Sequence, residues 1–243
     1  MSGWVPVSVP RDGARHWLAM LAPAGFVAVI GTSYGFVLPL GTIGHLVGAA
    51  AGLAWGCVVA LAFRRVARIG GRGLVPRGVC ALTIACLAAV LGAGWLYNRM
   101  FAAVLTEAQV SDEMLGAMMA PPVPYFIALN SALELLLLPA MLALAMSGGL
   151  RSTAMVLAAA FAFLAARVWT YAVFAVPRVD ISAERLAAAD IAWFERTLAG
   201  DYRILLIAIA LTMLIAEIVA GDEPARIGND KPGGETSEAV NQA

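Results

Sequence analysis

The chain has 243 residues, 61% hydrophobic and only 13% charged, with 16 Lys and Arg balancing 16 Asp and Glu. A soluble domain carries about a quarter charged residues, and a chain this apolar cannot cover itself with polar side chains in water. A single soluble globular domain is excluded. So is a nucleic-acid-binding protein, because no basic excess exists to neutralise phosphates.

In chain order, residues 17–63 hold no Asp, Glu, Lys or Arg. A membrane-crossing helix needs roughly 20 apolar residues, so this stretch is long enough for two. It is broken at Pro39-Leu40-Gly41-Thr42 and predicts a tight helical hairpin. The segment 78–98 is uncharged, 114–150 carries only Glu134, 152–177 only Arg167 and 204–221 only Glu217. These runs predict an all-α polytopic membrane bundle of six helices at about 17–38, 42–63, 78–98, 122–147, 152–176 and 203–220. They are continuously apolar rather than alternating, which argues against a β-barrel. The organisation expected is an N-terminal tail over 1–16, a transmembrane domain over 17–220 and a polar, disordered tail over 221–243.

Orientation follows from basic residues in short loops. The loop after the second helix holds Arg64, Arg65, Arg68, Arg72 and Arg77 with no acid, and the N-terminal tail adds Arg11 and Arg15. Both termini are therefore expected in the cytoplasm, with the protein in a cell membrane of the bacterial inner or plasma type. The first apolar run is longer than a signal-peptide core and is expected to stay as an anchor.

Several features fit packing before chemistry. Gly44, Gly48, Gly52 and Gly56 lie in i, i+4 register on the second helix. Such a stripe lets helix backbones approach closely. It predicts a seam with the first helix, where Gly31 and Gly35 repeat the spacing, or a seam across a homo-oligomer. A groove for a flat, lipid-like ligand is the lesser alternative. Cys57, Cys80 and Cys86 all fall inside apolar helices and are expected as small buried residues, not a disulfide. Met114 and Met118 near Glu107, Asp112 and Glu113 are better explained by an amphipathic surface segment than by Cu(I) ligation. The 178–200 region, with Leu186, Trp193 and Phe194, is expected to lie at the membrane interface in the same way.

The charges inside apolar helices carry the functional expectation. A charge at helix centre costs about 2.5–3.5 kcal/mol on insertion scales and usually faces protein with a partner. The fourth and fifth helices are joined by a short connector and must be antiparallel neighbours. Counting from its two ends places Glu134 and Arg167 within about 3 Å in depth. An ion pair is expected there, with Asn130 and Tyr171 forming a second polar rung one turn away. His45 and Asn98 are placed nearby on the outer side, which outlines a polar pocket for a lipophilic small molecule. Glu134 is the candidate catalytic residue and Asn130, Glu134, Arg167, Tyr171, His45 and Asn98 the candidate binding residues. The alternative for Glu134–Arg167 is a structural salt bridge. Glu217 is placed near the end of the last helix, within reach of water.

Two histidines, His16 and His45, on opposite sides cannot ligate one haem, and no zinc, dinucleotide or Walker motif is present. No metal and no cofactor are expected. Gly31-Thr32-Ser33-Tyr34-Gly35 looks like a serine elbow only superficially, since it lies within an apolar helix.

From Pro122 or Pro124, through Ala175-Val176-Pro177-Arg178-Val179-Asp180 and Trp193 to Arg203, the chain resembles the small membrane proteins grouped with anthrone oxygenases, over roughly 90–220. Asp180 stands one position after the Asn of that family's turn. The resemblance implies a cofactor-free, oxygenase-like protein in which the Glu134 cluster positions substrate and moves protons. The alternatives are a small transporter coupled through Glu134–Arg167 and a non-catalytic subunit of a membrane complex assembled on the glycine stripe.

Overall fold

The computed structural model describes residues 11–36, 40–70, 73–105, 122–175 and 201–222. Among them the fold is all-α, without a strand, and six helices are long and apolar enough to cross a membrane. They are α1 (Arg11–Tyr34), α2 (Gly41–Gly70), α3 (Leu74–Leu105), α4 (122–146), α5 (153–175) and α6 (Tyr202–Asp222). The Met-rich stretch at 114–119, the 178–200 region and 223–243 lie outside the described residues, as does most of the motif behind the family resemblance.

α2 and α3 run past their expected limits of 63 and 98. Arginine is a good helix former, so the backbone continues through Arg64, Arg65 and Arg68 after the apolar core has ended. α1 stops at Tyr34, earlier than expected, and α2 begins at Gly41 with φ +53°, a left-handed conformation that side chains with a Cβ rarely adopt. The last helix takes in Gly221 and Asp222, beyond its expected limit of 220.

α1 packs most extensively against α2, and the glycines explain why. Gly31 and Gly48 meet backbone to backbone, so that a Cβ on either would collide with the other's carbonyl oxygen. A Cβ at Gly52 would come within 2.9 Å of Ala28 Cα, and one at Gly56 within 2.8 Å of the Pro23 carbonyl oxygen. This part of the stripe is occupied inside the chain, by α1. Cys57, Cys80 and Cys86 are free thiols.

α4 is the central helix, with the most buried span of the six. It contains an ordinary helix (Pro122–Ala132), a wider π-turn (Leu133–Leu137) and a second helix (Leu138–Met146). Pro139 supplies a physical reason for the irregularity. It has no N–H to donate to the Leu135 carbonyl, and its ring would crowd that oxygen in a regular helix. The freed Leu135 oxygen accepts the indole N–H of Trp55 from α2 at 2.7 Å. A neighbouring helix thus satisfies the carbonyl that proline releases, which is how proline is tolerated in apolar helices.

The α4–α5 connector turns at Gly148 (φ +77°), and Ser152 caps α5 by accepting the Met155 N–H at 3.3 Å. α5 also ends in a π-turn, Thr170–Ala175, that contains Tyr171. α6 packs against α5 and α3. Phe163, Leu133, Leu138, Met141 and Leu214 are fully buried in the core.

Candidate functional site

Glu134 is the first side chain to account for, because it is 0% exposed and sits in the π-turn of the central helix. π-turns re-aim side chains and recur at functional sites. Three donors converge on its carboxylate. Arg167 Nε from α5 donates to Oε1, forming a direct ion pair. Tyr34 Oη from α1 donates to Oε2 at 2.7 Å. Tyr171 Oη lies 3.1 Å from Oε2 and 3.3 Å from Oε1, sharing its one proton between them.

The donors also support one another. Arg167 Nη2 donates to Tyr171 Oη at 2.7 Å, and its guanidinium carbon stands 4.7 Å from the Tyr171 ring centre. The Tyr34 and Tyr171 rings pack at 4.8 Å with a 54° tilt. A hydrogen bond to a charged group contributes about 1.5–3 kcal/mol. Three of them are enough to offset an insertion cost of about 2.5–3.5 kcal/mol for the carboxylate.

Asn130, one turn before Glu134 on α4, is buried at 6% exposure, and its Oδ1 has no hydrogen-bond partner among the described residues. The second rung expected between Asn130 and Tyr171 does not form. Helical side chains lean toward the N-terminus of their own helix, so Tyr171 reaches back to the level of Arg167 and joins the Glu134 rung. Asn130 is left with a buried acceptor beside a cluster whose donors are already engaged.

His45 and Asn98 have their partners elsewhere. His45 Nδ1 lies 2.7 Å from the Thr32 carbonyl oxygen, and its ring meets Phe36 edge-on at 4.8 Å, at the α1–α2 turn. Asn98 Nδ2 donates to Asp201 Oδ2 at 2.7 Å. Asp201 caps α6 by accepting the Arg203 backbone N–H at 3.1 Å, and it pairs with the Arg203 guanidinium through Nε at 2.6 Å. Burial pushes the Asp201 carboxyl upward, but the hydrogen bonds and charge of Arg203 outweigh it and hold the group below its ordinary value. This second polar cluster ties α3 to the start of α6.

Glu217 does not reach water, as its place near a helix end had suggested. It is 4% exposed and accepts the backbone N–H groups of Arg151 (2.6 Å) and Ser152 (2.8 Å). The connector folds over it because the N–H groups at the start of α5 need acceptors. Ser33, the nucleophile of the elbow-like run, donates its hydroxyl to the Val29 carbonyl at 2.8 Å within its own helix.

The arrangement also constrains what Glu134 can do. An ionised carboxylate offers about four acceptor positions, and the contacts from Arg167, Tyr34 and Tyr171 engage both oxygens. A general base must lie within hydrogen-bond reach of the proton it takes. Direct proton abstraction by Glu134 therefore requires one of these donors to move aside. Tyr34 and Trp55 were not identified from sequence. Pro139 was the available signal for an orphaned Leu135 carbonyl, whereas nothing local places Tyr34 beside α4.

No protein-family model, no curated protein and no solved structure matches the chain.

Proposed function

We propose that this is a multi-pass protein of the cell membrane, with both termini and the α2–α3 turn in the cytoplasm, that binds a lipophilic small molecule beside the Glu134–Arg167 cluster. The observation that carries this reading is Asn130. A buried acceptor left without a donor costs about 1–3 kcal/mol, and such groups are rare in folded proteins. A bound hydroxyl or N–H group would remove that penalty. The irregular backbone supports the same reading, since the π-turns on α4 and α5 carry Glu134 and Tyr171. If the bound molecule is also transformed, as the resemblance to the anthrone-oxygenase group implies, the Tyr34 and Tyr171 hydroxyls are the groups that exchange protons with it and Glu134 holds their charge balance.

The test is a thermal-shift titration of purified protein with a panel of phenolic and quinone-like compounds, repeated on Asn130→Leu. Stabilisation of the wild type that is lost in the variant supports the site. No response from the wild type to any of the panel counts against it.

A second reading has its own support. The engaged acceptor positions of Glu134 suit a lock that joins α1, α4 and α5 with no ligand. On that reading Asn130→Leu raises the melting temperature, because it removes an unpaired polar group, and no compound distinguishes the variant from the wild type.

A further inference from the structure

α2 and α3 are consecutive in sequence but touch only sparsely, and each packs against α4. The π-turn of α4 meets both of them, and the sparse α2–α3 contact leaves a groove over that turn. Leu136 in that turn is 44% exposed, and Trp55, whose indole bonds the adjacent Leu135 carbonyl, is 47% exposed. The groove is thus apolar midway along the helices.

The adjoining ends of α2 and α3 are basic. Arg65 and Arg68 at the end of α2 and Arg77 at the start of α3 are exposed, whereas Arg64 is buried. In sequence, no Asp or Glu occurs between Asp12 and Glu107. Ile69 and Leu74 beside them are 81% and 86% exposed. Arg68 falls about 140° around α2 from Trp55, on another face, whereas Arg65 follows Trp55 by ten residues, about 15 Å along the helix. That is close to one leaflet, half of a hydrocarbon core about 30 Å thick.

We propose that this groove binds an anionic phospholipid, with the phosphate held by Arg65 and Arg77 and one acyl chain lying against Trp55 and Leu136. Charge at the tip selects the headgroup, because each basic residue near an anionic lipid surface contributes about 1 kcal/mol. The groove selects a chain-bearing ligand over a free phosphate. This site is separate from the one proposed beside Glu134 and does not depend on it.

The experiment uses the full chain, extracted in mild detergent, stripped of lipid and mixed with phosphatidylglycerol or phosphatidylcholine of identical acyl chains. Bound lipid is counted by native mass spectrometry, and size exclusion confirms that each variant remains monodisperse. The wild type is expected to retain phosphatidylglycerol preferentially. Each of Arg65→Gln and Arg77→Gln should lower that preference about fivefold, and lysine at the same positions should restore it. Leu136→Trp should reduce retention of both lipids, and glycerol phosphate should not compete. Equal retention of the two lipids by the wild type overturns the proposal, as does an unchanged preference in the double glutamine variant. Displacement by glycerol phosphate, or a dimer that forms in place of the lipid complex, also overturns it.

Discussion

Tyr34 and Glu134 lie one hundred residues apart and meet at 2.7 Å, the α1 hydroxyl donating to a fully buried carboxylate on α4. The contact ties the first hairpin to the α4–α5 pair. Tyr34→Phe keeps a ring against Tyr171 and removes only the hydroxyl. It should lower stability by about 1.5–3 kcal/mol, the range for a hydrogen bond to a charged group, read as a reduced thermal midpoint in detergent. An unchanged midpoint would mean that Glu134 does not need its third donor.

Pro139 and Trp55 form a second testable pair. Trp55→Phe removes the indole N–H from the Leu135 carbonyl and should cost about 1–3 kcal/mol. Pro139→Ala returns a backbone N–H one turn from that oxygen, so the penalty of Trp55→Phe should shrink in a Pro139→Ala background. A double-mutant cycle on thermal unfolding measures the difference. Additive effects would show that proline is not the reason the indole is needed.

The glycine seam distinguishes positions that look alike in sequence. Gly48→Ala places a methyl on the Gly31 carbonyl and must separate α1 from α2, whereas Gly25→Ala meets nothing within 4 Å. The first should lower the melting temperature and the second should leave it unchanged or slightly raised, since alanine favours helix over glycine by about 1 kcal/mol. Equal responses would contradict the close approach.

Asp201 gives a pH signature. Its carboxyl is held below the ordinary 3.8 by Arg203, so its folded form carries the lower affinity for protons. The stability it contributes is therefore fully present above the unfolded value and is lost as pH falls through the folded one. Asp201→Asn should melt below the wild type at neutral pH, and the gap should close only beneath 3.8. A gap that narrows well above that value would exclude the Asp201–Arg203 pair as its source.

The six helices were legible because uncharged runs of spanning length admit few other structures. The level of Glu134 with Arg167 was legible because a short connector fixes the register of two antiparallel helices. Tyr34 was not, since its contact depends on how α1 lies across α4, and no local pattern encodes that. Tyr171 was assigned to the right region and the wrong rung, because counting residues gives Cα levels and omits the lean of a long side chain. Glu217 was misplaced for a related reason: proximity to a helix end said nothing of the turn that closes over it.

The most direct measurement of the site is a high-resolution experimental map of the lipid-embedded protein around Asn130 and Glu134. The expected result is non-protein density with a donor within hydrogen-bond distance of Asn130 Oδ1, next to an intact Tyr34–Glu134–Arg167–Tyr171 cluster. A dry, closed interface in which Asn130 finds a protein donor, or a lone ordered water in its place, would contradict a ligand site and leave Glu134–Arg167 as a lock between helices.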